Sequence, residues 1–400
     1  MKKIVYVILF VLFLLPACQP VQTTQTDMVT IDPVDLARFA DKFFAKQMDK
    51  LDIPGVVFIF VQDDEVIYAK GYGFANLEQK TPMDAANTVV RIGSISKSFV
   101  ATAVMQLVEQ GKLDLHADVN QYLTTFQLED IYPEPVTLAH LLTHTAGFED
   151  PPYATSTDPA TIRPLREYLT VNMPSRTHAP GDVYIYCSHG YDLAALIVEE
   201  VSGVPFVEYM EQNIFKPLGM EHTQYLLAPP MPENLAIGYF YEKGSFLQKS
   251  VQIPQPMDYD NSYPSGSMVS TASDMAHFLT AQLQSGCYNG VCILRPETIA
   301  QMHTAQVPTS REEQKPRSVL LNGLWSGNVC SVTAGPSKVS GICWNFSQNK
   351  DLVISSPSTK NAGKPPRVPS SRSFANNSRN IFFASPPLRQ AQGVQYANNI

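Results

Sequence analysis

Arg91-Ile92-Gly93-Ser94-Ile95-Ser96-Lys97-Ser98-Phe99 is the stretch from which the rest of the chain is read. Ser94 opens an amphipathic run to Gln110. Phe99, Val100, Ala103, Val104, Leu107 and Val108 share one face of it, and Gly111 ends it. Residues i and i+3 lie on the same side of a helix, so the Lys97 ammonium can approach the Ser94 hydroxyl. A serine is a poor nucleophile until a neighbouring base takes its proton. A lysine packed among apolar groups holds its own proton less firmly and can be that base. The start of a helix adds backbone N–H groups and a positive dipole end where an oxyanion develops. The S-x-x-K string is weak by itself: Ser347-Gln348-Asn349-Lys350 repeats it in a segment without helical periodicity. Context distinguishes Ser94, with a strand hairpin before it, a glycine directly ahead and a buried type of helix behind.

Working outward, Asp35 to Lys50 carries Leu36, Phe39, Phe43, Phe44 and Met48 at helical spacing. Gly55 to Val61 is a continuous apolar run and predicts a strand. Asp63-Asp64 makes a turn, and Val66 to Phe74 returns as the second strand of a hairpin. From 112 to 225 the chain predicts short helices and Pro-rich loops. Clearer helices are expected over Gly190 to Val201, Phe206 to Phe215 and Ser273 to Leu283, the last capped by Ser270 or Ser273. No internal repeat is visible.

Length and composition bound the class. At about 150 residues per domain, 400 residues suggest two or three domains. With 44% hydrophobic and 16% charged residues, the chain is neither disordered nor a coiled coil. A net charge of −8 without a clustered basic face argues against a nucleic-acid partner. Lys2 and Lys3 precede an apolar run from Ile4 to Leu15, too short to span a bilayer as a helix. These features predict a secretory signal over 1–17. Leu15-Pro16-Ala17-Cys18 resembles a bacterial lipobox, which predicts lipidation of Cys18, a polar tether over 18–33 and a soluble body held at an exported membrane face. Export makes a disulfide between Cys287 and Cys292 plausible, across the turn at Asn289-Gly290. Cys330 and Cys343 could also pair.

The chain changes character after about residue 310. Residues 311–400 hold 11 Lys+Arg and 3 Asp+Glu, against 18 and 34 in the rest. No acidic residue follows Asp351, and both Trp lie in this stretch. Two explanations stand: a disordered tail, or a reading frame lost near 315–330, which would make the tail an unevolved sequence.

Pro180-Gly181-Asp182-Val183-Tyr184-Ile185-Tyr186-Cys187-Ser188-His189-Gly190-Tyr191 is an aromatic loop leading into a helix. With it, the chain resembles the serine β-lactamase and penicillin-binding-protein superfamily, in its branch of class C β-lactamases, DD-peptidases and family VIII-type esterases. Arg91 to Phe99 looks like the nucleophile helix of that family. Leu141-Leu142-Thr143-His144-Thr145-Ala146-Gly147 looks like its L-L-T-H-T-S-G segment, and Tyr186-Cys187-Ser188 its Tyr-x-Asn or Tyr-x-Ser. Ile214 to Met220 and Ser270 to Asp274 match further stretches in the family's order, so the likeness covers roughly 35–310. The resemblance implies an α/β fold of the β-lactamase/transpeptidase type: an antiparallel sheet flanked by helices, plus a mainly helical subdomain. The sheet part would fall over about 34–93 and a later C-terminal part, the helical part over about 112–260, and the whole over 34–310. It implies Ser94 as the acylated nucleophile, Lys97 as base, Tyr186 as proton shuttle and Ser188 as a supporting hydrogen-bonder to Lys97 or substrate. The implied partner is a small-molecule or peptide substrate: a β-lactam, a D-amino-acid peptide or a small ester. The oligomeric state stays open.

No metal or cofactor is expected. His140 and His144 have the i, i+4 spacing of a zinc pair, but Leu141 stands where H-E-x-x-H has its glutamate, and no third ligand stands out. One departure bears on function. The family's third motif, K-[ST]-G or H-x-G on a later strand beside the nucleophile helix, is not recognisable. No His follows His303, and Lys338-Val339-Ser340-Gly341 has one residue too many. The alternative to a serine hydrolase is therefore a catalytically incomplete binding protein of the same ancestry, or a truncated inactive product.

Overall fold

The apolar run that predicts the first strand is buried along its whole length, from Gly55 to Gln62 (β1). Both of its faces are covered, which is why it lacks the alternation of a half-exposed strand. Val56, Phe58 and Phe60 pack under a helix over Pro33–Leu51 (α1), against Leu36, Ala40 and Phe44. Val57, Ile59 and Val61 face the main core instead. Asp32 caps α1 by accepting from the Val34 N–H, and Pro33 supplies a preset first turn. The computed structural model describes residues 31–151, 155–242, 251–307, 317–318 and 339–345. The expected signal segment, Cys18, almost all of the tether, Cys330 and most of 311–400 lie outside these residues.

Strand β1 pairs antiparallel with Glu65–Asn76 (β2), which continues to Thr81–Pro82 (β3). On its other edge β1 pairs antiparallel with the closing strand Val339–Asn345, with Phe60 opposite Gly341 and Val61 opposite Ser340. The sequence shows no strand there. The string nearest to the missing third motif thus lies partly on a strand added to β1.

A second, three-stranded sheet has Met268–Ser270 at its centre, between Val90–Arg91 (β4) and Gln224–Tyr225. The nucleophile segment leaves β4 directly. The expected helix from Ser94 is a 3-10 turn over Gly93–Ile95 followed by an α-helix over Ser96–Glu109 (α2), so Ser94 sits in the tighter entry turn. Gly93 has φ +51°, a left-handed conformation that side chains resist, which explains the glycine before the serine. Every residue of α2 from Ser96 to Leu107 is buried. Phe99 stacks on Phe278 at 3.9 Å between ring centres and meets Phe215 edge-on.

Around α2 stand the helices Leu138–Leu142 (α3), Leu165–Asn172 (α4), Ser188–Ser202 (α5), Phe206–Met210 (α6), Tyr263–Gly266 (α7), Ala272–Leu283 (α8) and Pro296–His303 (α9). The helix expected over Phe206 to Phe215 divides into α6 and a π-turn over Glu211–Phe215. The cap of α8 is Thr271, whose side chain accepts from the Asp274 N–H, rather than Ser270 or Ser273. Cys287 and Cys292 form the expected disulfide across Asn289-Gly290, both of which have positive φ. Among the described residues, no helix is long and apolar enough to cross a membrane.

Candidate active site

The entry turn of α2 is held from two sides. The Ile92 N–H donates to the Met268 carbonyl at 3.0 Å, fixing the strand that delivers Ser94. The Ser96 hydroxyl donates to the Gly93 carbonyl at 2.6 Å, which closes the turn beneath it. Ser94 Oγ therefore stands at a wall of a cavity of about 760 Å³ that Lys97 and Ser188 also line.

Lys97 is 1% exposed. Its Nζ donates to Ser94 Oγ at 3.1 Å and to the Ser265 carbonyl at 3.0 Å. It lies 5.0 Å from the ring centre of Tyr186 and 5.9 Å from that of Tyr191, so two aromatic rings border the ammonium. The Tyr186 hydroxyl donates to Ser94 Oγ at 2.8 Å. Two side chains, one on the same turn and one 92 residues further on, thus converge on the Ser94 oxygen.

The loop that carries Tyr186 is positioned by the Thr143-His144-Thr145 segment at the end of α3. The Ile185 N–H donates to the His144 carbonyl at 2.8 Å, and the Gly181 N–H donates to the Thr145 carbonyl at 2.8 Å. His144 is held in the left-handed region at φ +58°. Its Nδ1 accepts from the Cys187 N–H at 3.1 Å, and its ring lies 4.4 Å from that of Tyr186 and 5.0 Å from that of Tyr191. His140 makes a capping box with Thr137 at the start of α3, and burial lowers its proton affinity. The two histidines at zinc-like spacing thus serve the backbone, and no cluster able to hold a metal occurs among the described residues.

Ser188, the first residue of α5, is fully buried and lines the cavity. Its N–H donates to Asp150 at 2.9 Å. Further along the cavity stand Arg91, paired with Asp258 at 3.0 Å, and Asp260. Burial raises the proton affinity of Asp260.

One residue here was not singled out in the sequence. Asp192 on α5 is 0% exposed, and burial pushes its carboxyl up to about 7. Its Oδ1 accepts from the Ser265 N–H at 3.1 Å and its Oδ2 from the Ser262 hydroxyl. The only signal in the sequence is an acid inside the otherwise apolar run Tyr191 to Val198.

The sheet, the helices around it and the Ser-Lys-Tyr arrangement define the β-lactamase/transpeptidase type of fold. The chain belongs to the Beta-lactamase family, whose model matches residues 40–328. It is 28% identical over 248 residues to Protein flp of Staphylococcus aureus (strain N315), covering 61% of this chain and 48% of that protein. It is 31% identical over 234 residues to the putative penicillin-binding protein PbpX of Bacillus subtilis (strain 168), covering 58% and 55%. The chain thus spans about half the length of the curated relatives it matches. Among solved structures it is similar to the octameric penicillin-binding protein homologue from Pyrococcus abyssi, with a TM-score of 0.63, 25% identity and coverage of 79% and 74%.

Proposed function

We propose that the chain is an exported serine hydrolase that forms an acyl-enzyme on Ser94 and cleaves an ester or amide. The observation that carries this reading is the double contact at Ser94 Oγ, with Lys97 Nζ at 3.1 Å and Tyr186 OH at 2.8 Å. In the reaction Ser94 Oγ bonds to the substrate carbonyl carbon and gives up its proton to Lys97 or Tyr186. Tyr186 passes a proton to the leaving group as the tetrahedral intermediate collapses. Water then repeats the sequence on the acyl-enzyme and frees Ser94. Ser188, at the cavity wall, supports the substrate or Lys97. The substrate class is a β-lactam, a D-amino-acid peptide or a small ester, and the cavity is of ordinary size for such molecules.

A second reading rests on one observation in the sequence: the third motif, which would build the closing-strand half of the site, is not recognisable. That half of the site supplies an oxyanion donor in the related enzymes, and loss of one such donor costs on the order of 10²–10³ in rate. A protein of this kind would bind substrate-like ligands without turning them over.

Intact-mass labelling with a fluorophosphonate, beside Ser94→Ala, decides between them. An adduct on the parent and none on the variant supports the hydrolase. A folded parent without adduct supports the binding protein. Anchoring through Cys18 belongs to the same proposal, and Cys18→Ala releases the protein from the membrane fraction if it is correct.

A further inference from the structure

Asp192 is a carboxylic acid placed where an apolar residue would be cheaper. Burying such a group is unfavourable unless its oxygens are satisfied. Both are satisfied, and both partners lie on one short segment: Ser262 just before α7 and Ser265 within it. Ser265 also donates its hydroxyl to the Ser262 carbonyl at 3.0 Å, so the segment is closed upon itself. The Ser265 carbonyl is the one that receives Lys97 Nζ. A single peptide residue therefore joins the acid to the base, with its N–H on Asp192 and its C=O on Lys97. The charge on Lys97 also works against burial in setting the proton affinity of the Asp192 carboxyl.

We propose that Asp192 is a positioning residue for Lys97, fixing the Ser265 carbonyl that orients the ammonium. The assignment rests on the reading of Ser94 and Lys97 given above. Other groups face the pair. Asp260 acts on both Asp192 and Lys97. His189 lies close enough to Lys97 to be affected by its charge. Tyr168, Tyr225, Tyr263 and Cys187 surround Asp192 and stay neutral, each with its proton affinity raised by burial. Asp260, half-buried, holds the same segment by accepting from the Ser262 N–H at 2.9 Å, whereas Asp192 holds the Ser265 N–H itself.

The role is tested by substitution. Asp192→Asn keeps the shape and an acceptor for the Ser265 N–H. Asp192→Ala removes both. Saturation kinetics of fluorophosphonate labelling, corrected for folded fraction, are measured for the parent and both variants. In Asp192→Ala the maximal labelling rate falls at least tenfold while the reversible binding constant stays within about twofold, and in Asp192→Asn most of that rate returns. A structural role alone would lower the melting temperature of Asp192→Ala yet leave its maximal rate per folded molecule as in the parent, and that result overturns the proposal. The ε-methylene NMR resonance of Lys97, assigned with Lys97→Arg, needs no turnover. If the parent does not label, the reading of Ser94 fails, and this resonance still decides the role of Asp192. A resonance displaced in Asp192→Ala and restored in Asp192→Asn supports it, and one at the parent's position in both overturns it.

Discussion

Asp192→Asn should change how stability depends on pH, and the size of the change follows from burial. A carboxyl at 3.8 in the unfolded chain is pushed up to about 7 in the fold. Below 3.8 the group is neutral in both states and costs nothing. As pH rises toward 7 the unfolded chain ionises it while the fold holds it neutral, so stability is lost across that window and is level above it. The gap between 3.8 and about 7, at about 1.4 kcal/mol for each pH unit, amounts to about 4 kcal/mol. Asparagine carries no such penalty. The variant should therefore gain on the parent by about 4 kcal/mol between pH 3.5 and 8. With an unfolding entropy of about 2.1 cal/mol/K per residue, a chain of 400 residues shifts by about 1.2 °C for each kcal/mol, so the difference in melting temperature should move by about 5 °C in favour of Asn. Titrating groups remote from Asp192 are common to both proteins and largely cancel, whereas the part of the shift that Asp260 causes at Asp192 is lost with it. Differential scanning calorimetry of the pair at half-unit intervals is the assay. A difference in melting temperature that stays flat across this range would refute the reasoning, because it would mean that Asp192 ionises in the fold as it does in water.

Lys97→Ala and Tyr186→Phe should each slow fluorophosphonate labelling by about 10²–10⁴, the usual contribution of a positioned acid or base. Unchanged rates in both would mean that another group takes the Ser94 proton. Phe99→Ala should cost about 3–5 kcal/mol in urea unfolding, because its ring is stacked within a fully buried helix; a loss below 1 kcal/mol would contradict that packing. Replacing Cys287 and Cys292 by Ser should cost about 2 kcal/mol from chain entropy alone, since the closed loop is short. Equal melting temperatures for the parent with and without reductant would speak against the bridge.

The parts of this molecule that could be read in its sequence are those with short-range signals. The hairpin β1–β2 shows as two apolar runs around Asp63-Asp64, and Asp63 does adopt positive φ. Ser94 and Lys97 are one turn apart, so their contact is local. Tyr186 is different: nothing in its neighbourhood fixes its meeting with Ser94, and it was found by resemblance. What stayed hidden depends on contacts across the chain. Asp192 meets Ser262 and Ser265 over 70 and 73 residues. A lone acid in an apolar helix shows only that something must satisfy it. The 3-10 entry to α2 was hidden for another reason, since a tightened first turn keeps helical spacing. The closing strand has no periodicity to mark it, and only its pairing with β1 defines it.

That pairing has a consequence for how the protein is made. Strand β1 is complete once residue 62 is synthesised, but the strand that covers its second edge begins at residue 339. At roughly 5–20 residues per second the ribosome needs roughly 15–55 s to deliver it. For that interval the edge of the most apolar strand in the chain offers a row of unpaired N–H and C=O groups, the kind of edge on which other chains aggregate. A nascent chain of this design keeps that edge of β1 open until its last partner emerges, and any event that alters the chain before Val339 would leave it open.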